Sequence, residues 1–450
     1  MPTERRNWHF GVLSFTGTGH LNSLLALSRS LKDLGHKVTF FEKRKIEDRV
    51  RQAGLDFIPI GKGNSFSNEQ MNHDSAGPRS RLSEIRFNLE RIERDLIMYL
   101  NETPRALVEA GVDALLVNEI ALTGPTVAQI AHLPYVLIST SVPHHFGWNA
   151  YPWYSGYKYS ASWYSMVETA LFEVSALRMR GPIRRALDEY RRQLGLGAVK
   201  QARQSFPELA HITQLPKYLD SPRPGLSGNF YYTGPFTNRA ARSHTEFPWD
   251  RIDGRPVIYM SLGTTRNVQA FVFRLVSEAC QDLDLQLVIS LGGRFDPDAF
   301  QDLAGNPLVT KYAPQLELVR LATIVITHGG PNTVFETLLE GKPMVAIPLA
   351  HDQPAIAARL ARLGIAEVLP VMRLTKGKIH RAVTKVLNDP TYRSAAVRMQ
   401  AELQSLRGLE RASNVIEETM EEYVANQRQG SAADHDGNAN GFTSVSFISR

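Results

Sequence analysis

The sequence predicts an α/β architecture, two doubly wound domains facing each other across an interdomain cleft. Three observations lead there. The chain has 450 residues, more than one hydrophobic core usually organises. Apolar strand-like runs alternate with helical periodicities in both halves, which is the grammar of a parallel sheet. Between the halves lies FTNRAARSHTEFPWDRIDGRP, residues 236–256, polar and punctuated by Pro and Gly. The expected organisation is therefore a first domain over 1–235, a linker over 236–256 and a second domain over 257–400. A C-terminal helix over 401–426 is expected to pack back towards the first domain. Residues 427–450, polar and rich in Gly, Ala and Asn, are expected to form a flexible tail.

The elements follow in order. His9 to Phe15 is a short apolar strand, and Thr16-Gly17-Thr18-Gly19 is a turn. Leu21, Leu24, Leu25, Ser28 and Leu31 then recur at helical spacing, with Gly35 at a helix C-terminus. Val38–Phe41 is the next strand. Ala114–Val117, a helix from Pro125 to Ala131, and the strand Tyr135–Ser139 follow. The second half repeats the scheme with strands Val257–Ser261, Leu287–Ser290, Ile324–Thr327 and Met344–Pro348. In such sheets ligands sit beyond the carboxyl ends of the strands. Two facing sheets make the cleft between them the natural site.

Composition excludes several classes. With 43% hydrophobic and 21% charged residues the chain is an ordinary soluble globular protein. The net charge of +6 is scattered, and no basic stripe carries interleaved aromatics, so nucleic acid is not an expected partner. RMRGPIRRALDEYRRQ, residues 178–193, is the local exception. It is expected to be the exposed face of a helix, with weak peripheral contact to an anionic membrane as the lesser reading. Cys280 is the lone cysteine, so no intrachain disulfide forms, and a cytoplasmic location fits. The start, MPTERRNWHFGVLSF, lacks a signal peptide's apolar stretch, and no apolar run reaches the ~18 residues of a membrane span. A monomer or weak dimer is expected.

Residues 325–336, VITHGGPNTVFE, carry the most local information. A strand ends at Thr327, two glycines follow, and Pro331 suits the first turn of a helix that Gly341 can end. Free backbone N–H groups and the positive end of the helix dipole then form an anion site, phosphate above all. Asn332 and Glu336 share a face one turn apart. Glu336 repels a phosphate but suits a pair of ribose hydroxyls. A capped helix with a solvent-facing Glu would also satisfy these residues. The flanks point to a ligand. Tyr312-Ala313-Pro314-Gln315 upstream places a ring beside an amide, suited to a base. Ala350-His351-Asp352-Gln353 downstream places an acid and an amide after a strand, suited to sugar hydroxyls.

Residues 312–353 resemble the nucleotide-sugar signature of UDP-dependent glycosyltransferases with two facing Rossmann-like domains, the GT-B fold. In outline the resemblance spans residues 8–425. It implies that Tyr312 and Gln315 hold uracil and that Glu336 binds ribose. It implies that His328, Gly330, Asn332 and Thr333 hold the diphosphate, helped by Ser261, Gly263 and Thr264. Asp352 and Gln353 would contact the donor sugar. The family often has Trp where Tyr312 stands, and many plant members have Trp where Pro331 stands, which leaves UDP or dTDP and the sugar open.

FTGTGHLNS, residues 15–23, matches a dinucleotide-binding G-x-G only in part, because Asn22 stands where the third Gly belongs. His20 opens the helix after this turn, where the dipole disfavours imidazolium and so suits a general base. A partly buried structural His has the same pattern. The resemblance favours the base, because the family carries its catalytic His in this loop. His20 would deprotonate an acceptor hydroxyl as it attacks the anomeric carbon, inverting the configuration as UDP leaves. No cofactor beyond the UDP-sugar co-substrate and no metal is expected. Family members often support the His with an Asp after the strand here placed at 114–117. Asn118 stands there, and Glu119 beside it carries the charge but on the opposite side of a strand.

HHFGWNAYPWYSGYKYSASWY, residues 144–164, holds nine aromatics and three of the five tryptophans, and it follows a strand whose end faces the cleft. An amphipathic wall for a large apolar acceptor is expected, with Thr18, His144, Phe146, Trp148, Trp153 and Tyr154 lining it. The look is that of the bacterial zeaxanthin glucosyltransferase branch and of relatives acting on polyketide or flavonoid hydroxyls. Two rival readings remain: a UDP-sugar epimerase of the same fold, and a catalytically silent homologue acting as an auxiliary.

Overall fold

The computed structural model describes residues 6–14, 16–61, 81–143, 181–198, 208–220, 226–238, 245–264 and 270–435. They form two parallel sheets. The first has seven strands in the order β3-β2-β1-β4-β5-β6-β7, and the second has six in the order β10-β9-β8-β11-β12-β13. In the first, β1 (His9–Leu13) lies between β2 (Lys37–Glu42) and β4 (Ala114–Asn118), and β5 (Tyr135–Ser139) and β6 (Glu208–Thr213) follow outward. In the second, β8 (Val257–Ser261) lies between β9 (Gln286–Ser290) and β11 (Ala322–Thr327), with β12 (Met344–Ala346) beyond.

Each sheet reverses its winding once, between β1 and β4 and between β8 and β11. Those are the points where adjacent loops diverge and leave a crevice. Asn118 and Ser261 end β4 and β8, and His20 and His328 follow β1 and β11. Topology alone thus gathers the predicted site residues into two crevices.

The central strands are mostly apolar because helices cover both faces; β1, β4, β5 and β8 are buried at every residue. The helix α1 (Thr18–Asp33) buries Leu21, Leu24, Leu25, Ser28 and Leu31, the stripe its spacing predicts. The helix Gly408–His435 inserts Ala412, Val415, Ile416 and Met420 into the same core. In return Val142, Leu215 and Leu219, which follow strands of the first sheet, sit in a core cluster of the second half. Arg359 and Asp220 join the halves across 3.6 Å, both buried.

The strands β3 (Asp56–Pro59), β6, β7 (Phe230–Tyr232), β10 (Leu308–Thr310) and β13 (Ala366–Val368) go beyond those read from the sequence. Four of them are sheet edges, short and only half covered, so they lack a continuous apolar run. Two further readings change. The basic stretch forms a helix over 181–193, but Arg191 is fully buried, donating to Thr126 Oγ1 at 2.9 Å and Gln129 Oε1 at 2.8 Å. Arg191 alone among the described arginines of this helix departs from the expected exposed face, since Arg184, Arg185 and Arg192 are exposed. The last helix also continues to His435, past the expected start of the tail. Among the described residues no helix is long and apolar enough to cross a membrane.

Candidate active site

The crevice of the second sheet is built around one helix N-terminus. β11 stops at Thr327, whose hydroxyl accepts from Gly329 N–H at 3.1 Å. Gly329 turns the chain at a φ of 82° and Gly330 is the extended N-cap. The helix runs Pro331–Leu339 with no side-chain cap. Its first-turn N–H groups, Asn332 and Thr333, lack intrahelical acceptors and present partial positive charge.

The His328 ring is wedged between two glycines. A Cβ on Gly263 would lie 2.6 Å from Nε2, and one on Gly330 would lie 2.5 Å from it. Nδ1 is sealed from solvent and has no hydrogen-bond partner among the described residues. Burial pushes His328 down to about 4, against an opposing backbone hydrogen bond with Ser261. The imidazole is therefore neutral at neutral pH.

One turn along the helix, Glu336 is 2% exposed. Gln315 Nε2 donates to its Oε2 at 2.5 Å and stands 3.4 Å from Thr333 Oγ1, while Tyr259 OH donates to Gln315 Oε1 at 3.4 Å. The structure thus brings Gln315, Thr333 and Glu336 together from two helices. Tyr312 stands nearby, 53% exposed, over Gly293, where a Cβ would come 1.9 Å from the phenolic oxygen. An exposed ring on a floor without a side chain is fit for stacking. Ser261 and Gly263 form the neighbouring loop, and Thr264 follows them.

After β12 the chain enters the helix Gln353–Arg362 through His351, a non-glycine at a φ of 58°. Asp352 and Gln353 are both buried. Gln353 Oε1 accepts from Leu349 N–H at 2.8 Å and Ala350 N–H at 2.9 Å, which holds the loop and leaves the Nε2 end of the amide for a ligand.

In the first crevice His20 lies in the opening turn of α1, two residues after Thr18. Its Nδ1 is 2.6 Å from Thr140 Oγ1. Asn118, fully buried, donates to the same hydroxyl at 3.1 Å, and its Oδ1 accepts from Ile120 N–H at 3.1 Å. Asn118 therefore stands behind His20 through Thr140. Glu119 is engaged elsewhere: Ser139 Oγ donates to it at 2.6 Å, and His211 Nε2 lies 3.8 Å away. Glu119 is the first residue after β4 and already belongs to the turn. Of the two candidates, Asn118 is the one that shares the Thr140 hydroxyl with His20.

The crevices touch. Asn332, expected on the diphosphate, instead sends Nδ2 across the cleft to Gly19 O at 2.6 Å. Its Oδ1 accepts from Ser23 Oγ and from Gln214 Nε2, both at 3.1 Å. The N-termini of α1 and of the Pro331 helix thus converge, each equivalent to roughly half a positive charge. Between them an anion is stabilised from both sides.

Thr140, Gln214 and Ser23 are site residues that the motifs missed. Thr140 and Gln214 each directly follow a parallel strand, so the rule that ligands gather at carboxyl ends could have nominated them. His144, Phe146, Trp148, Trp153 and Tyr154 lie outside the described residues.

Known proteins resemble the chain along most of its length. A family model described as UDP-glucoronosyl and UDP-glucosyl transferase matches residues 202–432, and one described as glycosyltransferase family 28 N-terminal domain matches residues 12–128. NDP-glycosyltransferase YjiC of Bacillus subtilis (strain 168) is 26% identical over 428 residues, 94% of this chain and 100% of the relative. Zeaxanthin glucosyltransferase of Pantoea ananas is 26% identical over 416 residues, 92% of this chain and 96% of the relative. The solved structure of the glycotransferase of kitacinnamycin superposes with a TM-score of 0.72 at 22% identity, covering 92% of this chain and 99% of the other. That last likeness concerns the fold.

Proposed function

Since this chain belongs to the UDP-glucoronosyl and UDP-glucosyl transferase family and is a glycosyltransferase, we propose that it inverts the configuration of a hexose, glucose first, as it moves it from UDP to the hydroxyl of a large apolar small molecule. The observation that carries this reading is the bond from Asn332 Nδ2 to Gly19 O. It sets the turn that bears His20 against the helix that would hold the leaving group.

In this reading Tyr312 stacks on uracil and Gln315 reads its edge, while Glu336 accepts from the ribose hydroxyls. His328, Gly330, Thr333 and the loop Ser261-Gly263-Thr264 surround the diphosphate. Asp352 and the Nε2 of Gln353 address the sugar. Asn332 contributes its backbone N–H, because its side chain is held across the cleft.

The chemistry follows from one tautomer. With Nδ1–H donating to Thr140 Oγ1, the Nε2 lone pair of His20 is the one that takes the acceptor's hydroxyl proton. The oxygen attacks the anomeric carbon, the bond to the diphosphate breaks on the opposite face, and UDP leaves. The charge growing on UDP meets fixed N–H dipoles that need no reorganisation. The aromatic window at 144–164 and the likeness to zeaxanthin glucosyltransferase support an apolar acceptor such as a carotenoid, polyketide or flavonoid. A cytoplasmic setting goes with this reading.

The test is a nucleoside-diphosphate-release screen of UDP- and dTDP-sugars against hydroxylated apolar acceptors, with His20→Ala as the blank. Release that needs an acceptor and is lost in the blank is expected. Conversion of UDP-sugar without acceptor would make the chain an epimerase. No release with any pair would make it a silent homologue.

A further inference from the structure

We propose that Gln214 is a positioning residue that registers the base His20 against the helix holding the leaving group, an inference that rests on the transferase reading above. Gln214 directly follows β6 and is 1% exposed. Its amide has one possible orientation. Phe236 N–H donates to Oε1 at 3.2 Å, so Nε2 must be the end that meets Thr140 O and, at 3.1 Å, Asn332 Oδ1. Asn332 is fixed in the same way, because Gly19 O can accept only from Nδ2. Ser23 Oγ completes the ring, 3.1 Å from Asn332 Oδ1 and 3.3 Å from Gln214 Oε1.

Each contact has a consequence. Thr140 is the residue whose hydroxyl holds His20 Nδ1, and Gln214 holds that same residue by its backbone carbonyl. Asn332 begins the helix whose N–H groups meet the diphosphate, and Gln214 holds its side chain. One buried amide therefore touches both the residue behind His20 and the helix that would hold the leaving group. An amide suits this place because it donates twice and accepts at once, which no hydroxyl or carboxylate does. The ring closes only when the two helix N-termini are at this separation. Donor helix and base are thus aligned together.

Two variants separate positioning from folding. Gln214→Leu removes every bond of the amide. Gln214→Glu keeps the acceptor for Phe236 N–H and Ser23 but replaces donation with a carboxylate oxygen that repels Thr140 O and Asn332 Oδ1. In both, kcat for transfer is expected to fall at least about tenfold while donor KM and the calorimetric Kd for UDP stay within about threefold. Gln214→Leu combined with Asn332→Ala should lose no more kcat than the worse single variant, since both break one network. In the substrate-free protein, amide hydrogen exchange in residues 20–23 should quicken in Gln214→Leu and in Asn332→Ala. An unchanged kcat in either Gln214 variant, losses that multiply, or exchange that does not move would each overturn the role of Gln214. A wild-type chain that releases no UDP defeats the transferase reading instead; the exchange measurement needs no substrate and still decides the network.

Discussion

His20 Nδ1 lies 2.6 Å from Thr140 Oγ1, a hydroxyl that also receives the Asn118 amide at 3.1 Å. The hydroxyl and the amide behind His20 form a neutral relay. A hydroxyl and an amide can choose the tautomer and hold the ring. They bring no negative charge to an imidazolium. Five expectations follow from this relay and its surroundings.

Thr140→Val keeps the shape of the side chain and removes the hydroxyl. His20 loses its orienting partner, and kcat should drop about 10- to 100-fold with donor KM unchanged. Steady-state UDP release measures both. A kcat within about twofold of wild type would show that the ring is held by other contacts.

Asn118→Asp places a carboxylate behind the Thr140 hydroxyl. Negative charge favours imidazolium, so the base should protonate at a higher pH. The acid limb of the kcat profile is expected to move up by about one unit. Because position 118 is fully buried, the variant should also lose stability. An acid limb that stays in place would uncouple Asn118 from His20.

Glu336→Ala removes the buried carboxylate that Gln315 Nε2 contacts and leaves that amide without its acceptor. Donor KM should rise about 10- to 100-fold with a much smaller change in kcat, the signature of lost uniform binding. An equal fall in kcat would assign Glu336 to the transition state instead.

Gly330→Ala tests the wedge around His328. Its backbone φ of −65° suits any residue, so the sole obstacle is the ring 2.5 Å from the new Cβ. Overpacking of this kind costs about 1–3 kcal/mol, which predicts that much lost stability in denaturant titrations. Unchanged stability would mean that the ring moves aside at no cost.

Glu42 gives the fold a pH dependence. Burial pushes its carboxyl up to about 8 from an ordinary 4.5, against the Lys43 backbone hydrogen bond and charge. The folded chain keeps a proton that the unfolded chain has released, so stability falls as pH rises from 4.5 towards 8. The full effect is on the order of a few kcal/mol. Glu42→Gln should flatten this slope and be more stable than wild type near pH 8 in denaturant titrations. Parallel curves for the two proteins would remove Glu42 as the cause.

The anion-holding segment was readable because its parts are neighbours in the chain. Thr327, two glycines, Pro331 and Glu336 span ten residues, and strand end, turn and helix start are local events. The central strands were readable for a related reason, since burial on both faces makes them mostly apolar. Edge strands such as Ala366–Val368 are half wet and carried no such run. Arg191 was misplaced because spacing reports a helix but not the acceptors, Thr126 and Gln129, that wait inside.

By itself the sequence determined two alternating α/β halves, a helix N-terminus fit for a diphosphate, and a histidine at the start of another helix. Each rests on periodicity or on residues within a few turns of one another. Only the tertiary structure decided what stands behind His20 and how the halves meet. Thr140 is 120 positions from His20, Gln214 is 118 from Asn332, and Asn332 is 313 from Gly19. A hydrogen bond depends on a few tenths of an ångström and on direction. Strand order, register and domain closure set those, and no short stretch of sequence contains them.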